Sequence, residues 1–201
     1  MRDLFKEVSQ HLNDDVLRQL GQQLGAADFG AVSKAAGGIT ELLLDSISKS
    51  ANNQETGGGL FGAIQKDHDG GILGDLMGVL GGRKQVNNPS TMNGAGIVNH
   101  LLGKKQLEAA QVISQYSGLD LFKSGVLMQL MAPIVMGVVG QTQRSGGLDL
   151  GGLAGILLGG NRGAQPQQRK AGGLFGKLLD MDGDGNTMDD LLKIGMKVLM
   201  K

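Results

Sequence analysis

The chain has 201 residues, 40% of them hydrophobic but only 3% aromatic, with 36 glycines and no cysteine, so it suits one domain or two small ones around an aliphatic core. Lys plus Arg and Asp plus Glu are equal at 19 each, which leaves no net field to gather a phosphate backbone or an anionic membrane and makes nucleic acid an unexpected partner. The missing cysteine excludes disulfides, thiolate nucleophiles and thiolate metal sites.

In chain order, Leu4, Phe5, Val8, Leu12, Val16, Leu20 and Leu24 recur at three- and four-residue spacing and predict an amphipathic helix over 3–24, with Asn13 and Asp14 able to divide it in two. This first stretch, charged at nearly every turn, lacks the apolar run of a signal peptide, so a cytoplasmic address is expected. A second helix is predicted over 28–51, with Ile39, Leu42, Leu43 and Ile47 inward, ended by the polar break SANNQETGGG. Residues 83–96 and 161–173 read as surface linkers. Between them the pattern predicts helices over 94–103, 105–117 and 120–143. No stretch reads as a strand, so the expected class is all-α.

The segment 124–143 is uncharged over about the 20 residues a bilayer core requires. Gln129 and Pro133 interrupt its apolar centre and Gln141, Thr142 and Gln143 end it, so it reads as a buried central helix. The competing reading is an envelope- or membrane-associated protein that uses this helix and its Gly-Leu tracts.

Glycines recur every four residues at Gly70, Gly74, Gly78 and Gly82, and again at Gly147, Gly151, Gly155 and Gly159. On a helix this spacing gives a bare stripe that lets a neighbouring backbone approach closely; equally, interior glycine costs about 1 kcal/mol relative to alanine, and the same stretches read as short turns and loops. GGLFGAI (58–64) returns as GGLFGKL (172–178), each followed by an acidic glycine turn, DHDGGILGDL (67–76) and DGDGNTMDDL (182–191). These echoes suggest an internal duplication. The resulting partition is a first helical module 1–82 ending in a degenerate Asp/Gly turn, a linker 83–96, a second module 97–160 with a Gly-Leu tract, a linker 161–173, and an acidic loop with a terminal helix, 174–201.

AGIVNHLLGKKQ (95–106), QLMAPIVMGVVG (129–140), GGLDLGGLAGILLGG (146–160) and the two Asp-rich turns resemble the bacterial domain-of-unknown-function family nine-three-seven, the YidB-like proteins, over roughly residues 4–192. The resemblance implies an all-helical, cytoplasmic bacterial protein with no assigned activity and no catalytic residue to carry over.

The chemistry-bearing stretch is LLDMDGDGNTMDDLLKIG. With Asp180 as position 1 of a calcium loop, Asp182, Asp184, Gly185 and Asn186 fall at positions 3, 5, 6 and 7, the first half of the EF-hand pattern. Carboxylates on alternate residues converge on one hard cation, and the glycine permits the turn that brings in the position 7 carbonyl. Position 12 is Leu191 rather than Glu, so Asp189 or Asp190 would close the loop. The simpler alternative is a helix N-terminus capped by Thr187 and Asp190. Calcium is the expected ligand. The earlier copy keeps Asp67, Asp69 and Asp75 but has Gly71 in place of a third carboxylate. His11, His68 and His100 read as surface or helix-end polar residues. No nucleophile elbow, phosphate loop or dinucleotide fingerprint is present, so the expectation is a non-enzymatic structural or interaction protein that also self-associates, with a protein partner left unidentified and a metal-dependent hydrolase as the less favoured alternative.

Overall fold

A computed structural model describes residues 2–53, 55–83, 85, 88–146, 152 and 155; the described residues form helices and turns and no strand, an all-α fold. Helix α1 (Arg2–His11) and α2 (Asp14–Gln23) divide the first amphipathic stretch at Asn13, whose side chain accepts the Val16 N–H. That is an N-cap, and it satisfies a donor that one continuous helix would have paired internally. Helix α3 (Phe29–Asn52) starts at a second such cap, Asp28, whose Oδ1 accepts the Ala31 N–H at 3.0 Å. Then follow α4 (Gly57–Asp67), a 3₁₀ turn (Gly71–Asp75), α5 (Leu76–Leu80), a 3₁₀ turn (Pro89–Met92), α6 (Gly94–Leu102), α7 (Gln106–Ser117) and α8 (Leu121–Gly146).

Helix α8 is the axis of the fold: α1, α3, α4, α6, α7 and the Gly71–Asp75 turn all pack on it. From Met131 to Gly140 every residue is buried. Around it lies an aliphatic core of Leu20, Ile39, Leu43, Leu44, Ile47, Leu60, Ile64 and Ile113, joined by Met128 and Met131 from α8 itself. No aromatic side chain is among the fully buried ones of the described residues, as the composition requires.

Two backbones reach α8 more closely than side chains would allow. A Cβ added to Gly140 would overlap the His68 carbonyl, one on Gly137 would lie 2.9 Å from Ile72 Cγ2, and one on Gly94 would overlap the Gln129 carbonyl. Pro133 has no N–H to offer that Gln129 carbonyl, four residues back in the helix; the start of α6 lies against it instead. Gln129, Pro133, Gly137 and Gly140 are spaced four, four and three apart, so they share one face of α8.

The glycine series 70–82 forms no helical stripe. Gly70 has φ +85° and opens the 3₁₀ turn, Gly74 lies inside that turn, Gly78 sits in the five-residue α5, and Gly82 has φ +68°. Close approach occurs here too, with bare backbone on both sides: a Cβ on Gly70 would lie 2.9 Å from Gln141 Cβ and 3.3 Å from the Gly137 carbonyl of α8. Ile72, Leu76 and Leu80 between those glycines are buried. Of the second series, Gly147, Gly151 and Gly159 lie outside the described residues.

The order short, short, long occurs twice, in α1–α2–α3 and α6–α7–α8. Asp120 caps α8 as Asp28 caps α3, its Oδ1 accepting the Lys123 N–H at 2.8 Å. Counted from those two caps, Val32, Ala35, Ile39, Leu43 and Ile47 of α3 correspond to Ser124, Leu127, Met131, Val135 and Val139 of α8, all buried. The two helices differ on the face that takes the turn: in the same register, Gly137 and Gly140 correspond to Asp45, ion-paired with Lys49 at 3.1 Å, and Ser48.

Gly140→Ala therefore forces backbone apart and should lower stability by about 1–3 kcal/mol, the range for overpacking. Gly62→Ala, on the exposed side of α4 with nothing within 4 Å, should leave stability unchanged or raise it by up to about 1 kcal/mol. Urea unfolding monitored by helical circular dichroism separates the two.

Candidate functional site

The loop residues Asp180, Asp182, Asp184, Asn186, Asp189 and Asp190 lie outside the described residues. The related earlier turn, 67–71, is described, and it shows what this sequence pattern builds. The Asp69 Oδ1 accepts the Gly71 N–H at 2.9 Å, and the Leu73 N–H reaches the Gly70 carbonyl at 3.0 Å. Asp-x-Gly here is a side-chain-closed turn that needs the left-handed conformation at Gly70, which glycine reaches without a Cβ clash.

Both of its flanking carboxylates already have protein partners. Asp67 Oδ1 accepts Asn88 Nδ2 at 2.8 Å, and the Asp67 carbonyl accepts the Thr91 hydroxyl at 2.7 Å. Asp69 Oδ2 lies 3.5 Å from Arg144 Nη2 on α8, an exposed pair worth at most about 1 kcal/mol. The stretch 83–96, expected as linker, thus contains at 88–94 a capped 3₁₀ turn and a helix start that dock on α4 and α8. Among the described residues no group of three or more His, Asp or Glu side chains is placed to hold a metal ion.

His68 departs from the expectation. It ends α4 and its N–H reaches the Ile64 carbonyl at 3.2 Å, but its side chain is only 4% exposed and Nδ1 has no hydrogen-bond partner. The reason is the seat on Gly140: the chain can press onto bare helix there, and it carries the imidazole inside with it. Helix-end spacing was legible at this position; burial depended on a glycine 72 places further along. His11 and His100 lie near the ends of α1 and α6, half-buried and exposed.

A second feature had no forecast. Tyr116 at the end of α7 is 44% exposed, and Leu121 and Phe122 at the start of α8 are 40% and 80% exposed. The chain has one Tyr, five Phe and no Trp, and the Tyr116 ring lies against Gly38 of α3, 3.4 Å from where a Cβ there would stand. Exposed apolar residues taken singly are ordinary on a protein surface.

The chain belongs to the family described as bacterial protein of unknown function (DUF937), whose family model matches residues 6–142. The match runs from α1 to the last turns of α8 and stops before the acidic loop. No curated protein and no solved structure matches the chain.

Burial holds the His68 imidazole below its ordinary value near 6.5, against the opposing pull of Asp67 and Asp69. A depressed histidine favours the neutral fold, while the unfolded chain takes up the proton first. Stability should therefore be unaffected by this group above pH 6.5 and fall as the pH drops from there through the lowered folded value. Urea midpoints of the wild type and of His68→Leu, compared between about pH 8 and about pH 5, should show that part of the slope missing in the variant.

Proposed function

We propose that the protein is a non-enzymatic structural or interaction protein whose C-terminal loop binds calcium weakly, through Asp180, Asp182, Asp184, the carbonyl of Asn186, and Asp189 or Asp190. The observation that carries the reading is the loop's spacing, three carboxylates on alternate residues followed by Gly185 and Asn186, which matches what a hard cation requires. Two structural facts support it. In the aligned turn, Gly70 holds the left-handed conformation that a calcium loop needs at its sixth position, where Gly185 stands. The seat that presses the first turn against protein, Gly137 and Gly140 on α8, has Asp45 and Ser48 as its counterparts on α3. The docked arrangement that engages Asp67 and Asp69 with Asn88 and Arg144 in the first turn therefore has no matching bare seat on α3 for a second acidic turn.

The membrane reading rests on α8, the one helix among the described residues long and apolar enough to cross a bilayer. Packing weighs against it, since that apolar stretch faces α1, α3, α4, α6 and α7; exposing it to lipid would dismantle the core. A cytoplasmic, soluble protein fits this arrangement better. Native protein that needs detergent to leave the membrane fraction would reverse the preference.

Without a Glu at position 12 or a paired loop, calcium should dissociate with a constant on the order of 10⁻⁴ to 10⁻³ M, and magnesium should bind more weakly because it demands a tighter octahedron. The Gly185 amide resonance should move during a calcium titration of the full chain. Asp182→Ala should abolish the movement and Asp69→Ala should leave it intact. If the resonance is still in place at about 10 mM calcium, above that affinity range, the aspartates are solvated helix-capping residues and the metal reading is lost.

A further inference from the structure

The turn 67–71 holds a buried imidazole among groups that are already committed. His68 is buried and its Nδ1 has no hydrogen-bond partner. With the ring neutral and its proton on Nε2, that nitrogen is only an unused acceptor; once protonated it is a charged donor, and a buried donor with no acceptor costs more. The two carboxylates on the same turn are occupied. Asp67 Oδ1 accepts Asn88 Nδ2, Asp69 Oδ1 accepts the Gly71 N–H, and Asp69 Oδ2 pairs with Arg144.

The neighbouring elements bring few other charges. From α8 comes Arg144, held by Asp69, and from α1 comes Glu7, whose Oε2 accepts the Thr142 hydroxyl of α8. Lys66 on α4 is exposed, and 88–92 carries no titratable side chain. The turn itself is lightly attached: the His68 carbonyl lies on Gly140 and Gly70 lies against Gln141, while the apolar anchors Ile64 and Ile72 are buried on either side of it. Gly70, at φ +85°, and Gly71 separate the turn from Ile72 and form a hinge.

We propose that His68 is an acid-released catch, whose protonation lifts the turn 67–71 off its seat at Gly140 while Ile64, Ile72 and the rest of the core stay packed. Asp67 then gives up Asn88 and Thr91, and water reaches the imidazolium. In the lifted turn the ring takes a proton near its ordinary value of 6.5, whereas burial holds the docked ring lower against the pull of Asp67 and Asp69. Lifting therefore grows as the pH falls below 6.5 and levels off below the docked value. The claim is narrower than a slope in global stability, which would arise equally if acid unfolded the whole chain. Here the proton enters a protein whose core is intact.

The test is an NMR titration of the full chain between about pH 8 and about pH 5, following the His68 ring and the protection of backbone amides from hydrogen exchange, corrected for the intrinsic rate at each pH. As the ring protonates, protection of the Leu73 amide, which donates to the Gly70 carbonyl, should fall severalfold, and the Asn88 side-chain amide should shift with the same midpoint. The amides of Ile39, Leu43 and Val135, inside α3 and α8, should keep their protection. His68→Leu should hold Leu73 protected throughout, and His100→Leu, at an exposed site, should respond as the wild type does. In the wild type alone, a ring that protonates while Leu73 and Asn88 are unchanged overturns the proposal, because the imidazolium is then accommodated in place. So does a ring still neutral at about pH 5, a loss of core protection together with that of the turn, or the same fall at Leu73 in His68→Leu.

Discussion

The fold depends on close approach of two backbones to one face of α8. Gln129, Pro133, Gly137 and Gly140 form that face, and the start of α6 and the turn after α4 rest on it at its two ends. Each of these residues has a separate physical part. Proline withholds a donor from the Gln129 carbonyl, and the glycines remove the side chains that would otherwise hold the turn away. Helix α8 accepts the cost of three interior glycines and a proline because it is packed on nearly all sides, so tertiary contacts rather than intrinsic propensity maintain it.

That constraint accounts for the position of the groups with unusual chemistry. His68 is internal because the segment carrying it is pressed against Gly140. Asp67 is engaged because the 3₁₀ turn Pro89–Met92 docks beside the same segment, through Asn88 and Thr91. Nearby, Thr142 on α8 donates to Glu7 Oε2 at 2.6 Å and brings α1 to the same end of the axis. The polar residues of this region are thus arranged as fasteners between elements.

Helices α3 and α8 bury corresponding positions and begin at corresponding caps, yet only α8 carries the bare face. Glycine at 137 and 140 against Asp45 and Ser48 is a difference of two side chains, and the docked turn after α4 rests on the glycine side of it.

By itself the sequence determined the helical class, the aliphatic composition of the core and the approximate limits of every described helix but α4 and α5, because these follow from local rules. The spacing of Leu4, Val8, Val16 and Leu20 defines a face, Asn13 and Asp28 cap where a helix must start, and Gly118 ends α7 in the left-handed conformation. Local rules also showed that residues 124–143 are interrupted by Gln129 and Pro133. What they could not show is which glycine serves as surface and which as hinge. Gly70 and Gly140 are the same residue type, and only the packing of the turn onto α8 makes Gly140 a bare seat and Gly70 at once a left-handed bend and a close contact with Gln141. The burial of His68, the docking of 88–94 and the exposure of Phe122 were decided in the same way, by contacts between segments far apart in the chain, which no short window of sequence contains.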